Sequence, residues 1–222
     1  MVGIICASEV EYTAVVKAFC MEKINEFSFG VCINNDLVIV KSGVSISSSE
    51  ECTKTLIAQY NIGSVLSVGV AGGLSHELKI GDIITSGHVI HYPSENAYVS
   101  TQTHELCNNI FNMVKKYCLH TATNGKYTHT VHKGIQICCD DFVNNSAQAS
   151  VLNQTYQGLS VDMESAGVFK VCIEAGIPAC CLKAISDHSD ERSVFYIQRH
   201  EDALSAFLGF LLINMYKENI YL

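Results

Sequence analysis

Short runs of apolar residues alternate along this chain with stretches whose apolar positions recur at helical spacing. Val2–Cys6 is apolar throughout and predicts a buried strand. Glu9–Cys20 follows with helical spacing through Val15, Val16 and Phe19. Phe27–Ile33 and Leu37–Val40 are rich in β-formers and flank Asn34, Asn35 and Asp36, a hairpin signal. Ser47, Ser48, Ser49 and Glu50 form an N-cap cluster for a helix reaching Tyr60. Val65–Val70 predicts another buried strand, ending in a glycine turn from Gly69 to Leu74. Ile80–Ile90 and Thr128–Cys138 read as strands, with an amphipathic helix over Glu105–Cys118 between them. The stretch from His91 to His104, enriched in Ser, Asn, Tyr and Thr, is expected to be a loop or lid. Asp162–Ala175 reads as helix, stopped by Gly176 with Pro178 beyond. Ala179–Ser186 is a buried strand, and Asp202–Tyr216 closes the chain as helix.

Strands that are apolar throughout, alternating with helices, argue for an α/β fold with a sheet covered on both faces. Only two prolines occur in 222 residues, so no Pro-rich linker divides the chain, and residues 1–222 are expected to form a single domain. A hydrophobic fraction of 48% against 16% charged residues supplies enough apolar surface for one sizeable core. The formal charge is −8 with no Lys/Arg cluster, which speaks against nucleic acid and anionic membrane surfaces as partners. The N-terminal stretch has no basic region, and no apolar run approaches the roughly 20 residues of a membrane span. The cytosol is the expected address. The 11 cysteines include no C-x-x-C pair, and Cys138-Cys139 and Cys180-Cys181 sit inside apolar runs. Most are expected to be buried free thiols in a reducing compartment.

The glycine stretch Gly69-Val70-Ala71-Gly72-Gly73 is not G-x-G-x-x-G and carries no following Lys-Ser/Thr, so neither a dinucleotide fold nor a P-loop is indicated. It is either a plain tight turn or a place where a flat ligand ring approaches the backbone. Three carboxylates stand at the ends of predicted elements: Glu11, Glu164 and Asp187. Ligands of α/β sheets bind beyond the carboxyl ends of strands. Singly, each acid reads as a solvated loop residue or a helix N-terminal charge. Together they suggest the paired carboxylates of glycosidic cleavage. His88 and His91, like His129 and His132, are three apart, which in a strand points them to opposite faces. No metal site is expected, and no cofactor.

Four separated blocks carry a family resemblance: Gly3 through Glu11; Gly69 through Leu74 followed by Lys79-Ile80-Gly81-Asp82-Ile83; Val161-Asp162-Met163-Glu164; and Ala184-Ile185-Ser186-Asp187. In order and spacing they resemble the nucleoside phosphorylase superfamily, and within it the 5′-methylthioadenosine/S-adenosylhomocysteine nucleosidases most closely. The resemblance implies a three-layer α/β/α sandwich around a central mixed sheet. It implies that Glu11 activates an attacking water and that Asp187 donates a proton to purine N7. Glu164 would hold the ribose hydroxyls, with Met163 packing on the sugar. Phe142 would stack on the purine while the Val143 backbone reads its edge. Val44, Val70, Ala71, Gly72, Lys183 and Ser186 fall on the remaining substrate contacts. The partner implied is a small purine nucleoside, and the assembly at least a homodimer whose neighbouring subunit closes the pocket.

Such chemistry has clear requirements. Adenine leaves readily only as a neutral base, so an acid must deliver a proton as the bond breaks. Positive charge grows on the sugar, which a carboxylate at the hydroxyls stabilises. The chain also departs from the nucleosidases. Val70 stands where they have serine, Lys183 where they have arginine, and the loop His91–Thr103 is shorter than theirs. Thr53–Ile57 and Ser186-Asp187-His188 look more like purine nucleoside phosphorylases. A phosphate-using phosphorylase is therefore the alternative activity, and a catalytically silent nucleoside-binding homologue the second. Against phosphate, Ser67 and the acidic turn Ser8-Glu9-Val10-Glu11 stand where phosphorylases of the purine branch carry arginines.

Overall fold

The computed structural model describes residues 1–21, 31–33, 36–123 and 129–218. The chain runs through β1 (Val2–Cys6), α1 (Glu9–Ala18), β2 (Val31–Ile33), β3 (Leu37–Lys41), α2 (Ile46–Gln59) and β4 (Ser64–Gly73). Next come β5 (Ile83–Ser86), β6 (His88–Tyr92), β7 (Asn96–Val99), α3 (Thr101–Thr123), β8 (Val131–Lys133) and β9 (Ile135–Cys139). It ends with α4 (Ser146–Tyr156), β10 (Gly158–Asp162), α5 (Ser165–Glu174), β11 (Ala179–Asp187) and α6 (Ser193–Lys217). All eleven strands join one mixed sheet. One face is covered by α1, α3 and α6, whose Tyr12, Val15, Ile110, Leu208 and Leu211 pack on strand residues such as Ile4 and Leu66. The opposite face is covered by α2 and α5, through Cys52, Leu56, Val168 and Phe169. This is the α/β architecture the alternating pattern predicts. No helix among the described residues is long and apolar enough to cross a membrane. Of the ten cysteines whose side chains are described, nine are buried and all are free.

Strand β4 is the hinge of the topology. Its first half pairs parallel to β1, from Val2 opposite Ser64 to Cys6 opposite Val68. From Val65 to Gly72 it pairs parallel to β11 on the other side, with a register shift before Asp187 meets Gly72. Beyond the end of β1, β10 takes over that edge in the antiparallel sense, with Val161 opposite Gly72. The C-terminal ends of β1 and β10 thus approach each other along one side of β4, and the end of β11 lies on the other. Three strand ends converge on Gly69–Gly73.

Several expectations are corrected here. Gly69–Gly73 is not a turn but the second half of β4, because β10 and β11 supply ladder partners on both sides. Ile80–Ile90 is two strands that part at Gly87, β5 joining β11 and β6 joining β9. Thr128–Cys138 is likewise two strands, β8 and β9, parting at Gly134, and Thr128 itself lies outside the described residues. His91–His104 is no loop: β6 and β7 form a hairpin there and α3 starts at Thr101. Helix α2 is capped by Ser45, whose side chain accepts from Ser48 N, rather than by the cluster at Ser47–Ser49. Asp162 ends β10, and α5 begins only at Ser165. Helix α6 begins at Ser193, since its largely exposed first turns lack the apolar periodicity that marks Asp202–Tyr216. Helix α4 and strand β10 lie where no element was expected. The antiparallel pairing of β2 with β3 agrees with the predicted hairpin. Phe27–Gly30 and the turn residues Asn34 and Asn35 lie outside the described residues.

Candidate active site

Helix α1 starts directly after β1, and its first turn builds the first carboxylate. Ser8 is the N-cap, its side chain accepting from Glu11 N at 3.1 Å. Glu11 returns the bond in a capping box: its Oε2 accepts from Ser8 N and Ala7 N, both at 2.9 Å. Its Oε1 reaches across to β4 and accepts from Val70 N at 2.8 Å. Glu11 is 5% exposed and held by three backbone donors. Position 69 must be glycine for this, because a Cβ there would overlap the Glu11 carboxylate.

Asp187 closes β11 and is fully buried. Its Oδ1 accepts from Ser189 N at 2.8 Å, and Ser186 Oγ lies 2.7 Å from its Oδ2. Ser186 Oγ is also 3.3 Å from the Ala71 carbonyl oxygen. A hydroxyl has one proton. It goes to Asp187 when that carboxyl is charged, and can turn to Ala71 while accepting from Asp187 when Asp187 holds a proton. Gly72 has to lack a side chain, because a Cβ would run into Ser189 Oγ beside Asp187.

Glu164 is the residue before α5 and is 8% exposed. Its backbone is fixed by α2, where Ser49 Oγ donates to Glu164 O at 2.8 Å. Its Oε2 accepts weakly from Met163 N at 3.3 Å. Burial, and then the charges of Asp162 and Glu11, push its pKa from 4.5 up to about 8, with Lys183 opposing. Lys183 is buried and lies 3.0 Å from Asp162 Oδ2. Burial is the largest single influence and works against its charge, but Asp162, with Cys181, Glu164 and Glu11, together outweigh it and hold the Lys183 pKa above the ordinary lysine value. Asp162 Oδ1 is bound by both Ser165 N and Ser165 Oγ.

The structure therefore brings together Glu11, Val70, Ala71, Gly72, Met163, Glu164, Lys183, Ser186 and Asp187 around the end of β4. Phe142 and Val143 lie on the loop between β9 and α4, which Ser146 ties to the segment after Asp187 by hydrogen bonds to Glu191. Phe142 is 39% exposed and free to meet a ligand face, whereas the Val143 side chain is in the core. Val44 stands on the loop between β3 and α2 and is 57% exposed. Sequence patterns do not single out Ser8, Asp162, Ser189 or Glu201 as site residues. The substitution of Lys183 for arginine beside an aspartate at 162 is the one signal that could have flagged the buried pair. The histidines serve elsewhere: His132 Nε2 lies 3.1 Å from Asp82, and His91 Nε2 3.4 Å from Asp140.

The arrangement gathers three buried carboxyl groups: Glu11, fixed by backbone donors; Asp187, at the end of β11; and Glu164, just before α5. Residues 1–212 match the family model described as the phosphorylase superfamily. A 5′-methylthioadenosine/S-adenosylhomocysteine nucleosidase of Buchnera aphidicola is 27% identical, with 97% of each chain covered. An aminodeoxyfutalosine nucleosidase of Helicobacter pylori is 26% identical over 86% of this chain and 87% of its own. Among solved structures, a Helicobacter pylori nucleosidase variant with 5′-methylthioadenosine in its active site superposes with a TM-score of 0.83 at 20% identity, covering 98% of both chains. A Neisseria meningitidis nucleosidase in complex with methylthio-immucillin-A gives 0.82 at 20% identity, again over 98% of both. The chain belongs to the phosphorylase superfamily and stands with its nucleosidases, the N-glycosyl hydrolases, along almost its entire length.

Proposed function

We propose that this protein is a purine nucleosidase that hydrolyses the N-glycosidic bond of an adenine nucleoside, of which 5′-methylthioadenosine and S-adenosylhomocysteine are the substrates named for its relatives. The observation that carries the reading is the Glu11 carboxylate, aimed by three backbone N–H groups at the point where β1, β10 and β11 end. In this reading Glu11 takes a proton from water as the water oxygen attacks C1′. The C1′–N9 bond breaks toward the base, and Asp187 gives a proton to N7 so that adenine leaves neutral. Ser186 then turns back to the newly charged Asp187. Glu164 accepts from the 2′ and 3′ hydroxyls and stabilises the positive charge growing on the sugar. Met163 packs on the ribose, Phe142 on the purine face, and the Val143 backbone meets the purine edge.

Phosphorolysis needs a cation for an incoming dianion. The chain has only two arginines, Arg192 and Arg199, and both are exposed. Arg192 pairs with Asp190 at 3.0 Å. Lys183 is committed to Asp162, and breaking a buried pair costs about 3–5 kcal/mol. The Glu11 carboxylate would repel phosphate. Water is therefore the favoured nucleophile. Adenine release from a nucleoside panel, with and without phosphate, tests this. The expected products are free base and free sugar at the same rate in both buffers. Strict phosphate dependence with a sugar 1-phosphate product would sink the reading. We further propose that the protein acts in the cytosol and assembles as at least a homodimer, the assembly its family resemblance implies; sedimentation equilibrium measures the assembly.

A further inference from the structure

Glu201 lies on α6, which covers the face of the sheet opposite to that covered by α5, the helix that Glu164 precedes. Ser8 joins it to the site, donating its Oγ proton to Glu201 Oε1 at 2.8 Å and its backbone N–H to Glu11 Oε2 at 2.9 Å. Glu164 and Glu201 each feel the charge of Glu11. Glu164 comes from the junction of β10 and α5, Glu201 from α6 beside the first turn of α1. Glu11 thus stands between two other carboxylates. Burial, with Glu11 adding to it against the Ser8 hydrogen bond, raises the Glu201 pKa.

A furanose has C2′ and C3′ on one side of C1′, and the ring oxygen, C4′ and C5′ on the other. With C1′ at Glu11 and the hydroxyls at Glu164, the 5′ substituent points toward Glu201. From this placement, which rests on the nucleosidase reading above, we propose that Glu201 is a specificity-determining residue for the 5′ group, selecting nucleosides whose 5′ substituent donates a hydrogen bond: an unmodified 5′-hydroxyl ahead of a thioether. A carboxylate only accepts. The single Ser8 hydroxyl proton is already given to Oε1, and Oε2 makes no hydrogen bond among the described residues. A 5′-hydroxyl satisfies Oε2. A methylthio group offers no donor and leaves Oε2 without a partner, and an anionic 5′ substituent is repelled. Sites that hydrogen-bond a substrate hydroxyl reject analogues lacking it far more strongly than apolar pockets reject an added one.

The test compares adenosine, 5′-deoxyadenosine and 5′-methylthioadenosine as substrates for the wild-type protein and for Glu201→Leu and Glu201→Gln. Hydrolysis-resistant C-nucleosides carrying a 5′-hydroxyl or a 5′-methylthio group are titrated in parallel. The wild type is expected to favour the hydroxyl over the methylthio compound by about 10-fold or more in kcat/KM and in Kd. Glu201→Leu is expected to remove or invert that ratio, with Glu201→Gln between. A ratio that Glu201→Leu leaves unchanged, in protein that melts cooperatively, overturns the proposal, as does a wild-type preference for the methylthio compound. If no nucleoside is hydrolysed, the nucleosidase reading fails by itself. The C-nucleoside affinities then decide the role of Glu201, because they need no bond cleavage.

Discussion

The carboxylates of Glu11 and Asp187 are surrounded differently, and the difference predicts how their amide variants behave. Both oxygens of Glu11 face backbone N–H donors. A glutamine there turns its NH₂ toward either Val70 N or the Ala7–Ser8 pair. One buried donor set is left facing a donor, at a cost of about 1–3 kcal/mol. Asp187 meets one backbone donor and one hydroxyl. Asparagine suits that site, since Oδ1 still accepts from Ser189 N and Nδ2 can donate to Ser186, whose proton turns to Ala71. Asp187→Asn is therefore expected to keep the wild-type Tm while lowering kcat by at least about 10²-fold. Glu11→Gln should lose a similar factor in turnover and melt several degrees lower as well. Thermal melts with single-turnover adenine release separate the two. Near-normal turnover of Asp187→Asn would remove it as the acid. Normal turnover of a destabilised Glu11→Gln would leave Glu11 as a helix cap alone.

Among the elements, β4 does the most to assemble the site, and its glycines can be tested apart from the acids. Gly69→Ala puts a methyl where the Glu11 carboxylate lies. The side chain must swing off its three donors, and a misplacement of about 1 Å can cost roughly 10²-fold in rate. The expected outcome is a folded protein with kcat/KM down by that order. Unimpaired turnover of Gly69→Ala would show that Glu11 need not occupy this position. The glycine stretch also marks where sequence reading stopped. Glu11, Glu164 and Asp187 are legible because each follows a local punctuation: an N-cap, the start of a helix, the end of an apolar run. That Gly69–Gly73 is strand rather than turn depends on β10 and β11, whose pairing with it is long-range. The Asp162–Lys183 pair joins β10 and β11, which follow one another in the chain but lie on either side of β4 in the sheet, so no spacing rule reaches it. Glu201 is hidden twice, by the late apolar periodicity of α6 and by a partner, Ser8, 193 positions away. Ile80–Ile90 reads as one strand because β-forming residues stand on both sides of Gly87, although β5 and β6 enter the sheet at separate places.

At the scale of the whole molecule, burying Glu164 in a cleft with Glu11 and Asp162 links folding, ligand binding and pH. In the unfolded chain Glu164 titrates near its ordinary 4.5; in the fold, burial first and the neighbouring carboxylates second lift it to about 8, with Lys183 opposing. Between those values the native state holds a proton that the unfolded chain has released. The contribution of Glu164 is thus fully present below about 4.5, declines as pH rises, and is lost once pH passes about 8. The decline is at most about 1.4 kcal/mol per pH unit. The ligand-free protein is expected to lose stability from pH 5 to 8, and Glu164→Gln to flatten that loss, because the amide is neutral at every pH. Equal slopes for both proteins in denaturant titrations would contradict the link. Ligand binding enters the same cycle. Ribose hydroxyls donate to a charged Glu164 and replace the water whose loss raised its pKa, so they favour the ionised form. Binding of a non-hydrolysable nucleoside near pH 7 should therefore release a proton, read by calorimetry in buffers of different ionisation heat. Asp162→Asn removes one of the charges that raise the Glu164 pKa, so less proton should be released at that pH. Binding with no proton exchange in either protein would mean that Glu164 does not receive the sugar hydroxyls.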